Sequence, residues 1–206
     1  MKAEETRPAH WDHVYERAAE TVSWYQAEAR VSLELLASAA IGPSESVLDI
    51  GGGASTFVDG LLERGYADIT VLDITDRALA VARSRLGSAA RDVHWLQADI
   101  TTWSPQRTYG CWHDRAVFHF LTEPADREAY RNCLARAIEA GGAVIIGTFA
   151  EDGPERCSDL PVRRYSLQEL RDELSDVATL VESRRELHHT PSGGVQSFLF
   201  ARFVRV

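Results

Sequence analysis

No apolar run in this 206-residue sequence approaches the length of a membrane span, and the first ten residues are polar. Neither a spanning helix nor a secretory leader is therefore expected. Cysteine is scarce: Cys111, Cys133 and Cys157 form an odd set without metal-like spacing. That excludes a disulfide framework and points to reduced thiols in a cytoplasmic protein, with no metal site among them. Basic residues do not dominate either. Acids outnumber them 31 to 22, and the net charge of −9 argues against a nucleic-acid partner or an anionic membrane surface. Internal repeats and low-complexity segments are also lacking. The remainder, 45% hydrophobic and 26% charged, is ordinary for one globular domain with a sizeable core.

The most informative stretch is Val47-Leu48-Asp49-Ile50-Gly51-Gly52-Gly53-Ala54-Ser55-Thr56. It reads as a short buried strand that stops at three glycines and enters a helix near Phe57. Glycines permit positive φ and close approach of a ligand to the main chain. The following helix aims free N–H groups and its positive end at whatever the turn holds. This run, too, is defined by what it lacks. Without a lysine it is no Walker phosphate loop, and Thr56 stands where the dinucleotide fingerprint wants a third glycine or alanine. It has instead Asp49, two places before the first glycine. An anion there repels a pyrophosphate and suits an ammonium group, which points to S-adenosylmethionine (SAM), whose amino-acid end carries both a carboxylate and an ammonium.

Taken in order, residues 1–9 are expected to be mobile. A helical pattern covers 10–40, with Ser23 as cap of a second helix and Gly42-Pro43 as its end. Its aromatics Trp11, Tyr15, Trp24 and Tyr25 either pack on a sheet or close over the cofactor, where a ring face attracts a sulfonium by ~1–2 kcal/mol. Past the glycine turn come a helix over 57–64, a strand over 69–73, a helix over 76–86 and a strand over 93–97. Asp73, twenty residues beyond Gly53, is placed to accept ribose hydroxyls. Asp99 is placed to accept the adenine amino group, with Ile74 and Ile100 on either side of the ring. A strand over 109–114, a helix over 124–139 stopping at Gly141-Gly142, and an apolar strand over 143–149 follow. The alternation implies a doubly wound α/β sheet. The loop over 150–164 has the character of a substrate wall. Ser166 and Glu169 form a capping box, and strands over 178–188 and 196–204 form an antiparallel pair.

With these residues placed, the chain resembles the class I SAM-dependent methyltransferases from about Ser46 to its end. The resemblance implies a Rossmann-like, mostly parallel seven-stranded sheet of order 3-2-1-4-5-7-6, last strand antiparallel, helices on both faces. It implies one domain over 1–206, with an N-terminal helical cap over 1–42 and a substrate-side loop over 150–165. It implies SAM as cofactor and S-adenosylhomocysteine as product. Asp49, Gly51, Gly52 and Gly53 map onto the methionine-binding turn, Asp73 onto the ribose acid and Asp99 onto the adenine acid. Asp114 begins the strand-four motif Asp114-Arg115-Ala116-Val117-Phe118-His119, which borders cofactor and acceptor. Trp11 and Trp24 look like the lid of small members. Ser55 departs from the usual third glycine, and its hydroxyl is a candidate partner of the SAM carboxylate.

Methyl transfer from a sulfonium is an in-line displacement that needs alignment at ~3–3.5 Å and exclusion of water. No metal is chemically required. A base is needed only for a protonated nucleophile, and His119 is the first candidate. His188 and His189 are more simply read as hairpin residues. Arg115 is a salt-bridge or acceptor-carboxylate partner, since guanidinium does not deprotonate. Tyr25 and Tyr165 are candidates to orient a nucleophile. Cys157, among Arg156, Arg163 and Arg164, is expected to have a lowered pKa, which opens a metalloid or thiol reading beside the favoured small-molecule acceptor. Protein lysine methylation, an NAD-binding oxidoreductase and a non-catalytic SAM-binding regulatory subunit complete the alternatives. Either a monomer or a homodimer fits.

Overall fold

The computed structural model describes residues 6–206. Part of the terminus expected to be mobile, residues 1–5, lies outside the described residues, whereas Arg7 already opens a helix. Seven strands build one sheet: β1 (Val47–Ile50), β2 (Ile69–Asp73), β3 (Val93–Gln97), β4 (Tyr109–Arg115), β5 (Ile138–Phe149), β6 (Ala178–His189) and β7 (Val195–Arg205). Their order is β3-β2-β1-β4-β5-β7-β6, parallel from β3 to β5 and antiparallel at β5–β7 and β7–β6. This is the expected Rossmann-like methyltransferase topology.

Both faces are covered, as near-continuous apolar strands require. Leu48, Ile50, Trp112, Val144 and Ile146 pack with Tyr130 and Leu134 of α5 (Pro124–Ala137) and Leu170 of α6 (Leu167–Glu173). Val47, Val71, Cys111 and Ile145 pack on the other face, with Leu35 and Leu36 of α2 (Arg30–Ser38) and Phe57 and Leu61 of α3 (Phe57–Glu63). Between β2 and β3 runs α4 (Asp76–Leu86), capped by the Thr75 hydroxyl, which accepts from Ala78 N–H. Gly53 sits against it: a Cβ there would lie 2.4 Å from Ala78 Cβ and 2.7 Å from Asp73 Oδ2. No larger residue fits that contact.

Three expectations need correction. The 10–40 segment is not two abutting helices. Only α1 (Arg7–Val14) and α2 are α-helical, and Ser23 caps neither. Residues 15–29 instead form an irregular strap with one 3-10 turn at Ala19–Thr21. Tertiary bonds hold it: His188 Nε2 lies 2.8 Å from Ser23 O, Thr56 donates to Gln26 O (3.1 Å), and Gln26 donates to Glu186 (3.0 and 3.1 Å). Next, α5 ends at Ala137 rather than at the glycine pair, because buried Ile138 already pairs with Tyr109 of β4. Gly141, at φ +84°, supplies the bend that only glycine takes easily. Last, the 150–164 loop contains a two-residue ribbon, Arg156–Cys157 with Leu160–Pro161. The Ser166–Glu169 capping box is present as expected.

Candidate functional site

One deep cleft of about 1100 Å³, its mouth included, opens at the carboxyl ends of the parallel strands. That edge is where open α/β sheets bind ligands, because chain reversal on either side of the central strand leaves a crevice. Its floor is the turn after β1. Gly51 takes φ +67°, and a Cβ there would lie 2.1 Å from Val117 Cγ2. A side chain at this position would therefore close the floor.

On the β2–β3 side, Asp73 and Asp99 both line the cleft, flanked by Ile74, Ala98 and Ile100. Asp73 is almost wholly buried. Its Oδ2 accepts from Gly53 N–H and its Oδ1 from Thr75 N–H, both at 3.1 Å. Burial pushes its pKa up to about 6 against the pull of those two N–H bonds. Asp99 Oδ1 is taken by the Thr101 backbone (2.9 Å) and hydroxyl (2.7 Å), leaving Oδ2 toward Arg7 at 4.0 Å. Arg7 also pairs with Asp126, and so ties α1 across the cleft mouth. Sequence reasoning missed Arg7. Nothing in its neighbourhood marks it, since both of its partners lie about a hundred residues away.

The roof is aromatic. Trp11 packs edge-to-face on Phe120 (centroids 4.9 Å) and on Trp24 (5.9 Å), and Tyr15 on Trp24 (6.2 Å). Trp11, Tyr15, Trp24, Tyr25 and Phe120 all line the cleft. The Tyr15 hydroxyl stays protonated, its pKa raised by burial and then by Asp73. Ser55 lines the cleft too, although its Oγ accepts from Phe57 N–H (3.1 Å), the first amide of α3.

Several sequence candidates lie elsewhere. His119 is fully buried behind the wall, its Nδ1 accepting from Phe149 N–H at 3.2 Å. Burial, reinforced by Arg115, lowers its pKa to about 3, so it is a poor base as well as a remote one. Asp114 does not border the cleft. Its carboxylate accepts from Val117 N–H (2.9 Å), Phe118 N–H (3.1 Å) and the Tyr130 hydroxyl (2.6 Å), and thereby shapes the turn after β4. Asp49 is also beneath the floor: Oδ1 lies 2.6 Å from His113 Nδ1, whose Nε2 lies 2.8 Å from Ser32 Oγ. This Asp-His-Ser order is that of a hydrolase relay, but all three are about 1% exposed and none lines the cleft. It braces the glycine turn against β4 and α2. Gly52 and Gly53 likewise support the turn without lining the cavity; a Cβ on Gly52 would meet Asp49 Oδ2 at 2.1 Å. Tyr165 is buried under Arg163.

Cys157 does line the cleft, but its thiol is not activated. Burial raises its pKa to about 11, overriding the nearby arginine charge on which a lowered value was expected. Arg115 lines the cleft from the end of β4, its Nη1 donating to Trp24 O at 2.8 Å.

Among known proteins, a family model described as a methyltransferase domain matches residues 47–142. No curated protein matches the sequence. Solved structures similar in fold include a protein studied for converting a disulfide bond into a thioacetal group in echinomycin biosynthesis (22% identity, TM-score 0.74, 95% of this chain and 91% of that one). Another is the Burkholderia thailandensis 1,6-didemethyltoxoflavin-N1-methyltransferase, bound to 1,6-didemethyltoxoflavin and S-adenosylhomocysteine (20%, TM-score 0.72, 100% and 93%). A third is the N-methyltransferase NodS from Bradyrhizobium japonicum with S-adenosylhomocysteine (17%, TM-score 0.68, 94% and 97%).

Proposed function

We propose that the chain, which has the sheet order of the class I SAM-dependent methyltransferases and a matched methyltransferase domain over residues 47–142, moves a methyl group from SAM to a small-molecule nucleophile. One observation carries this reading: two acids at the tips of neighbouring parallel strands, Asp73 and Asp99, face a single aromatic-roofed cleft above a glycine turn. The residues fit the adenosyl group. Asp73 would accept the ribose hydroxyls, Asp99 Oδ2 would accept the adenine amino group, and Ile74 and Ile100 would bracket the ring. Bound SAM supplies a methyl group made electrophilic by its sulfonium.

The chain's own residues then orient and dry the site. Trp11, Trp24 and Phe120 would exclude water, and a ring face presented to the sulfonium would attract it by ~1–2 kcal/mol when desolvated. Among the described residues no histidine lines the cleft. With His119 withdrawn and the Cys157 and Tyr15 protons held tightly, the acceptor atom is one that carries a free lone pair at neutral pH.

Calorimetric titration with SAM, S-adenosylhomocysteine and NAD tests the cofactor. The two adenosyl compounds are expected to bind and NAD is not; the reverse would make the protein a dinucleotide binder. Methyl release from labelled SAM to panels of amines, carboxylates, thiols and metalloids tests the transfer. Binding without turnover on any panel would leave a regulatory SAM-binding protein.

A further inference from the structure

Among the described residues, the arginines near the cleft are nearly all spoken for. Arg7 pairs with Asp126, Arg85 with Asp59, and Arg127, Arg131 and Arg163 converge on Glu173. Arg115 is different. No carboxylate of the described residues lies within the 4.0 Å of an ion pair, and its bonding to them is limited to Nη1 on Trp24 O. Its guanidinium carbon sits 4.7 Å from the Phe198 ring centroid. Nε and Nη2 are shielded from water and donate to nothing. Glu186, the acid that acts on it most strongly, has both oxygens engaged by Gln26. Burial lowers the Arg115 pKa to about 10, which still leaves a full positive charge at neutral pH. Unmet charged donors in a water-poor wall are strongly unfavourable unless something supplies the acceptor.

Position identifies the supplier. Asp73 ends β2 and Asp99 follows β3, while Arg115 ends β4, on the far side of β1. Two strand spacings separate the tips of β2 and β4, ~10 Å. The adenosyl acids therefore occupy one flank, and the cation stands on the other, where Tyr25, Phe120 and Cys157 complete a largely apolar wall.

We propose that the methyl acceptor is a flat, mostly apolar acid, and that Arg115 binds its carboxylate on the β4 flank of the cleft. This rests on the methyl-transfer reading above. Paired donors in a rigid plane match a carboxylate's two oxygens, which a lysine would not. Arg115 is here a specificity residue, and the carboxylate it holds is either the anchor or the methylated group itself.

The test uses the full chain saturated with S-adenosylhomocysteine, with benzoate and 4-aminobenzoate as probes and benzamide and aniline as uncharged controls. Ligand-observed NMR is expected to show the acids binding at least tenfold more tightly than the controls. Arg115→Gln should remove that preference while the affinity for S-adenosylhomocysteine, measured by calorimetry, stays within twofold. Acids that bind no better than the amide, including not at all, overturn the proposal. So does an Arg115→Gln protein that keeps the acid preference but loses cofactor affinity, since the guanidinium would then serve the amino-acid carboxylate of SAM. Should Arg115→Gln fail to fold, the acid-to-amide comparison on the unaltered protein and Arg115→Lys, expected to retain part of the preference, still decide. The methyl-transfer reading fails by a separate signal, the absence of any S-adenosylhomocysteine binding. The acid preference can still be read on the free protein in that event.

Discussion

The two flanks of the cleft are built by different means. On the β2–β3 flank the cleft-facing groups come from the strand ends themselves: Asp73 closes β2, which pairs in parallel with β1, and Asp99 follows β3, which pairs in parallel with β2. On the β4 flank only Arg115 belongs to the sheet. Its companions arrive from the 15–29 strap, the turn at Phe118–Phe120 and the ribbon at Cys157, and the strap is held to Arg115 and His188 by bonds spanning 91 and 165 residues of chain. The first flank is thus local and rigid, and suits a constant ligand. The second is an assembly of loops, the kind of surface that varies without disturbing the fold.

On that contrast, the heaviest damage comes from the junction of turn and sheet. Gly53→Val forces side-chain carbon into Ala78 and Asp73, so a stability loss of about 3 kcal/mol is expected together with loss of measurable SAM binding. Urea unfolding and calorimetry check both, and a normally stable variant would show the turn to be looser than described. Asp73→Asn should weaken SAM by ~1.5–3 kcal/mol yet leave the acid preference at Arg115 intact. Loss of both together would mean that the flanks are not separable.

The pH dependence sharpens the same distinction. The Asp73 pKa is raised from 3.8 to about 6, and its ionised form is the better acceptor for ribose hydroxyls. SAM affinity is therefore expected to fall as pH drops through about 6, by up to tenfold per unit, and Asp73→Asn should flatten that profile. For the free protein the sign is opposite. A carboxyl with a raised folded-state pKa contributes stability that is fully present below about 3.8 and is lost as pH rises through about 6. Asp114, raised likewise by burial, adds to the effect. Urea midpoints of wild type and Asp73→Asn at pH 5 and pH 7 measure the Asp73 share as their difference.

Smaller effects belong to the roof and to the buried histidine. Trp11→Ala should cost SAM about 1 kcal/mol, mainly as faster release in stopped-flow, because one of several rings is removed while the acids remain. His119→Asn keeps an acceptor for Phe149 N–H and should change turnover less than about twofold, at a stability cost of ~1–2 kcal/mol. A large drop in kcat with SAM affinity unchanged would return His119 to the chemistry.

Asp73 and Asp99 were legible because strand periodicity and a twenty-residue spacing place a strand-end acid without knowledge of the rest. His119 and Asp114 were misread for a related reason. Sequence adjacency puts them at the reaction edge, but the turn after β4 folds both inward, onto Phe149 N–H and onto the turn's own N–H groups. Cys157 shows the same limit in electrostatics. Neighbouring arginines in sequence suggest a thiolate, whereas burial in space dominates and protonates it.

Local rules alone therefore specified the strands, their βαβ handoffs, the glycine floor and the acids at the strand tips, since each depends on residues within one supersecondary unit. Which residues wall the β4 flank, that Arg7 straps the mouth, and that Arg115 has no counter-ion among the described residues depended on contacts between distant segments. Such contacts leave no period or spacing in the chain, because their partners are chosen by the packed fold rather than by neighbours in sequence.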